Sequence, residues 1–113
     1  MPHCVIEYAS ELEKEVNPQQ LINTVLDGAI KSELFDTNDI KMRTHRFEHF
    51  QNGFNNKNFV HVALKILSGR TLEQRANLSQ LVLAELANLA LKSVSLTVEV
   101  VEIERESYAK VVT

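Results

Sequence analysis

The sequence predicts an α+β fold in which two tandem βαβ units form one four-stranded sheet with two helices on one face. Three observations predict it. Apolar spacing runs strand, helix, strand, and then repeats that order within 113 residues. A polar segment, Gln51 to Asn58, separates the two series almost at the midpoint. Each series also carries a helix-start signal at the same place in its order, Asn17-Pro18 in the first and Thr71 with Gln74 in the second.

The first strand is read in MPHCVIEY, where Cys4, Val5, Ile6 and Tyr8 suit a buried or half-buried strand. Pro2 stands at its first position, where a missing N–H costs no ladder bond. Asn17 then serves as N-cap with Pro18 at N1, and Leu21, Ile22, Val25, Leu26, Ala29 and Ile30 give an amphipathic helix to about residues 32–34. Asp36, Asn38 and Asp39 make a turn into a second strand over 40–47. Alternation puts Ile40, Met42 and Thr44 on one of its faces and Lys41, Arg43 and His45 on the other.

In the second half, residues 59–67 form a strand with Val60, Val62, Leu64 and Ile66 facing one way. Ser68-Gly69-Arg70 turns the chain, and Thr71 with Gln74 has capping-box spacing. Leu78, Leu81, Val82, Leu86, Leu89 and Ala90 supply the helix stripe, and LTVEVVEI over 96–103 is the last strand. Two strands joined through one helix lie parallel with a right-handed crossover, so each half reads as βαβ. The whole is one domain, 1–113, with pseudo-repeat halves of about 2–50 and 59–105. The uncovered sheet face takes Phe, Val, Leu and Ile from several strands, which predicts association through it. A monomer with a mixed, partly polar outer face is the alternative.

Charged residues make up 24% and apolar residues 44%, the balance of a soluble globular domain. A net charge of −3 and the lack of a Lys/Arg run argue against nucleic acid or an anionic membrane as partner. No apolar run approaches a membrane span, and the opening residues do not read as a secretory signal. The single Cys4 fits a reducing compartment, so a cytoplasmic location is expected.

Two residues stand out chemically. Pro2 becomes a free secondary amine when Met1 is removed, and Arg70 lies at a strand-to-helix junction where its fork can meet a carboxylate beside a helix N-terminus. Taken with MPH at the start, Ile40-Lys41-Met42-Arg43 followed by His45, FVHVALKI at 59–66 and GRTLEQR at 69–75, they carry a resemblance over nearly the whole chain. The sequence resembles the tautomerase superfamily, and within it the 5-carboxymethyl-2-hydroxymuconate delta-isomerases. Its second half also looks like the short 4-oxalocrotonate tautomerase type of subunit.

The resemblance implies an isomerase of aromatic-acid catabolism that uses no metal or organic cofactor, with Pro2 as general acid and base and a homotrimer whose sheets line the threefold axis. In the short tautomerases an arginine follows the proline by about ten positions. Here the corresponding position from Pro2 is Leu12, and the position that far before Arg70 is Val60. Each half therefore keeps a different part of the site, and one site per chain is expected. Whether Arg70, Arg43 and Lys41 serve their own chain's Pro2 or a neighbour's is open at this stage. The isomerases often show Arg-x-Arg where this chain has Lys41-Met42-Arg43, and a lysine cannot reproduce the guanidinium fork.

The chemistry itself needs a base that is partly free at neutral pH, a clamp for carboxylates and a donor for developing oxyanion charge. An α-amino group titrates near ~8 and is pushed toward its free form by an apolar, cation-lined pocket. Arg70 is the expected carboxylate clamp, with Arg43 and Lys41 for a second carboxylate or the 2-oxo group. His45, Glu48 and His49 lack a third ligand at a defined spacing, so no metal site is assigned. His3 and His61 read as satisfied sheet residues, Cys4 as core, and Tyr8 and Tyr108 as donors that nothing in the sequence selects. Two other readings remain: a promiscuous tautomerase of phenylpyruvate-like enols, and a non-catalytic ligand-binding or assembly module.

Overall fold

The computed structural model describes residues 1–113. Strand β1 (His3–Ala9) leads through a short 3-10 turn into helix α1 (Pro18–Lys31) and strand β2 (Lys41–Phe47). Strand β3 (Asn58–Leu67), helix α2 (Leu72–Ala87) and strand β4 (Val94–Ile103) repeat the order. Both helices begin with a complete capping box. Asn17 accepts from Gln20 N–H while Gln20 accepts from Asn17 N–H, and Thr71 and Gln74 do the same. Each such cap contributes about 1 kcal/mol by satisfying donors that the first helical turn leaves unpaired.

The sheet order is β2-β1-β3-β4. Within each half the strands are parallel, and the halves join through an antiparallel β1–β3 pair. That central pair sets His3 opposite Lys65 and Tyr8 opposite Val60, so β1 begins beside the place where β3 ends. Both helices lie on one face, where Cys4, Ile6 and Tyr8 of β1 and Val60, Val62, Leu64 and Ile66 of β3 meet Leu21, Val25, Leu78, Val82 and Leu86. These side chains are buried. At about 25 cal/mol per Å2 of apolar surface removed from water, this single layer is the main stabilising contribution.

The helices approach each other closely at Gly28, where a β-carbon would lie 2.7 Å from Val82 Cα. Glycine is required there by space, and its cost in helix propensity is the smaller effect. Helix α2 ends at Ala87, earlier than the apolar stripe predicts. Leu89 still packs on the core, but Ala90 has φ 52° and is exposed, so the periodicity outlasts the helix.

The outer sheet face is more polar than the sequence reading expects. Its rows carry Lys41, His3 and Lys65, then Arg43, Val5, Ala63 and Glu99, then His45, Glu7, His61 and Thr97. Apolar members such as Val5, Ala63, Leu67, Val101 and Ile103 are half-buried among them. The strands' strongest apolar alternation had been spent on the helix side.

Candidate active site

Antiparallel pairing of β1 with β3 brings the two chemically marked ends together within one chain. Pro2 enters β1 at the same edge of the sheet at which β3 leaves toward Gly69-Arg70. Pro2 is buried, and its carbonyl accepts the Lys41 N–H at 3.0 Å, which fixes the start of β1 against the start of β2. The terminal amine, that of Met1, lies within the electrostatic reach of Arg70, Lys41, Lys110 and Asp39. Its pKa is lowered from the usual 8.0, first by burial, against Asp39, which raises it, and then by Lys110, Arg70 and Lys41.

Arg70 is positioned by contacts on both sides of it. Gly69 adopts φ 124°, a conformation that side chains rarely tolerate, and the carbonyl of the preceding Ser68 accepts from Arg105 Nε at 2.7 Å. Beyond it, Thr71 caps α2. The guanidinium donates through Nη2 to the Leu34 carbonyl at 2.8 Å and sits 5.7 Å from the centroid of the Phe35 ring. One edge of the fork is thereby held on the segment after α1, leaving other N–H groups for a carboxylate.

Lys41 and Arg43 project from β2 onto the outer sheet face, both exposed, as strand alternation predicts. They flank His3, whose neighbour across β1–β3 is Lys65. Cations therefore surround this end of the sheet. The pKa of His3 is lowered from its usual 6.5 by burial first, then by Arg43, Lys41, the terminal amine and Lys65. Neutral His3 is the form that these charges favour.

The two tyrosines are now distinguishable. Tyr8 is buried in the core and donates to Glu13 at 2.6 Å, with its phenol pushed up to about 12 by burial and by that hydrogen bond. It faces away from the Pro2 edge. Tyr108 returns from the C-terminal tail to place its hydroxyl 2.8 Å from His3 Nε2. The sequence contained no signal for this, because a contact spanning almost the full chain length leaves no local spacing to read. The same tail brings Lys110 to Met1, 3.0 Å from its sulfur.

His61 and Cys4 have structural partners. His61 is satisfied by Thr97 at 2.7 Å and Glu99 at 2.5 Å. Cys4 is buried, with its thiol pushed up to about 11 mainly by burial. No group of three or more metal-ligating side chains gathers anywhere in the chain. No helix is long and apolar enough to cross a membrane. The two open hollows on the surface, of about 580 and 430 Å3, lie against the outer side of α2 and beside the 51–58 loop, and neither includes Pro2, Lys41 or Arg70.

The sequence profile of the 5-carboxymethyl-2-hydroxymuconate isomerase family matches residues 2–111. Among curated sequences none matches the chain. The fold is similar to a crystal structure of a 5-carboxymethyl-2-hydroxymuconate delta-isomerase, with TM-score 0.82 and 18% identity over 100% of this chain and 89% of that one. It is also similar to a 5-carboxymethyl-2-hydroxymuconate isomerase from Deinococcus radiodurans R1, with TM-score 0.78 and 24% identity over 96% and 87% of the two chains. A fused 4-OT symmetric trimer is similar too, with TM-score 0.75 and 15% identity over 96% and 90%.

Proposed function

The chain belongs to the 5-carboxymethyl-2-hydroxymuconate isomerase family, an isomerase-type enzyme of the tautomerase superfamily, and on that premise we propose that it ketonises unsaturated 2-hydroxy carboxylic acids such as 5-carboxymethyl-2-hydroxymuconate. Met1 removal frees the Pro2 nitrogen as the base. The amine takes the proton of the 2-hydroxyl, the O–H pair becomes the C2 carbonyl, the double bonds shift, and the same proton is delivered to a carbon of the former diene. Atoms and electrons balance within the substrate, and no redox partner enters. Arg70 takes one carboxylate, while Arg43 and Lys41 take another or the oxygen at C2.

One observation carries this reading: Pro2 and Arg70 share one end of the sheet, where burial and nearby cations lower the pKa of the adjoining Met1 amine and would act on the Pro2 nitrogen once Met1 is removed. A base poised in this way contributes typically about 10²–10⁴-fold to a proton transfer. A homotrimer joined through the outer sheet faces goes with this function. It is supported by the half-buried apolar side chains on that face and by the likeness to a trimeric 4-OT fold. It would also close the Pro2 edge, which neither hollow of the single chain includes.

The test is an intact mass with a ketonisation assay on a dienol dicarboxylate such as 2-hydroxymuconate, comparing the native chain with Pro2→Ala and Arg70→Ala. Loss of Met1, activity in the native chain, and a fall of at least about 10²-fold in Pro2→Ala are expected. Full activity in Pro2→Ala would leave Pro2 as a strand-start residue and return the chain to the ligand-binding reading.

A further inference from the structure

A hydrogen-bonded chain runs from Arg43 through His3 to Tyr108. Arg43 Nη1 lies 3.2 Å from His3 Nδ1, and His3 Nε2 lies 2.8 Å from the Tyr108 hydroxyl. A guanidinium has only protons to offer, so Nδ1 must present its lone pair. A neutral imidazole then carries its proton on Nε2 and donates it to the phenol oxygen. The phenol's own proton is left over, and no acceptor in the chain takes it. From this polarity we propose that Tyr108 donates its hydroxyl proton to the substrate oxygen on C2, with His3 as the residue that orients it.

The inference rests on the isomerase reading and deepens it. During ketonisation the substrate carboxylates keep their charge, whereas the oxygen on C2 changes from hydroxyl through a developing oxyanion to carbonyl. A donor aimed at that oxygen lowers the barrier, while cations on the carboxylates bind ground state and transition state alike. The relay polarises in the useful direction, since each donation makes the next proton more acidic. His3 sits next to Pro2 in sequence and within the electrostatic reach of the terminal amine, so the donor and the base belong to one end of the sheet. The edge-to-face contact of the two rings, with centroids 6.0 Å apart, holds the phenol in place without the hydroxyl.

Tyr108→Phe keeps that ring contact and removes only the proton, and His3→Phe breaks the relay. In material shown by mass to lack Met1, both are expected to lower kcat on the dienol dicarboxylate by about 10-fold or more with KM nearly unchanged. His3→Gln, which has both an acceptor and a donor, should recover part of the loss. Nitrogen NMR of labelled native protein should report His3 with its proton on Nε2. Pro2→Ala in the same assay separates the two ideas. If Pro2→Ala is inactive while Tyr108→Phe retains full kcat, or if the His3 proton resides on Nδ1, the relay is wrong and the isomerase reading stands. If Pro2→Ala is fully active, the isomerase reading fails and the relay falls with it.

Discussion

Gly28→Ala adds one methyl where the two helices come closest, and two effects of opposite sign decide its outcome. The new carbon lies 2.7 Å from Val82 Cα, 3.0 Å from its Cγ2 and 3.1 Å from its N. Two of these are backbone atoms, so a rotamer change cannot relieve the contact. Non-bonded carbons rest about 3.5–4.0 Å apart, which requires a local separation of the helices by about 1 Å. Overpacking of this kind costs about 1–3 kcal/mol, and replacing a helical glycine by alanine returns about 1 kcal/mol. The net expectation is a destabilisation centred on about 1 kcal/mol, measured as a lower urea midpoint at unchanged m-value and a melting temperature lower by roughly 5 °C. The shift also reaches the site, because α1 leads directly into the segment with Leu34, whose carbonyl holds Arg70. KM should therefore rise, by less than in Arg70→Ala. An unchanged or higher midpoint would mean that the helices part without cost and that propensity, rather than close approach, governs this position.

Arg70→Lys keeps the charge but loses the fork and the geometry of the Leu34 bond, so KM for a dicarboxylate should rise by about 10-fold or more in steady-state kinetics. The surroundings that lower the Met1 amine are expected to lower the Pro2 nitrogen after Met1 removal, so activity should be gained as pH rises through that lowered value. Asp39 opposes that lowering and Lys110 adds to it, so Asp39→Asn should move the limb to lower pH and Lys110→Ala to higher pH. Cys4, at about 11 and buried, should resist iodoacetamide at pH 8 in the folded chain and react once urea unfolds it.

Local signals in the sequence were strong where the physics is local. Asn17 with Gln20 and Thr71 with Gln74 specify both helix starts, and alternation over 59–67 specifies which β3 residues meet the core. Crossover geometry was sufficient for the two parallel pairs. The order β2-β1-β3-β4 was not legible, because periodicity says which face a strand buries and not which edge pairs with which. The end of α2 was overrun for a related reason: Leu89 is still apolar and still packed, though the chain has left the helix. Pro2, Arg70, Arg43 and Lys41 were singled out by residue type together with the family resemblance, whereas Tyr108 was indistinguishable from Tyr8 until the tail was seen to return to His3.

The antiparallel centre of the sheet gives the molecule a front and a back. Pro2 and Arg70 occupy one edge, and the matching positions of the other half, at the start of β3 and the end of β1, fall at the opposite edge beside the 51–58 loop. There the chain continues through Lys57 and Asn58, so no amine can be exposed, and Leu12 fills the arginine's counterpart position inside the core. That back edge is available as a handle. A fluorophore or surface linker attached at Phe54, which is fully exposed at the loop tip, would present every molecule on a sensor with its front outward. The same attachment made at the amino terminus would cap the Pro2 nitrogen proposed as the base.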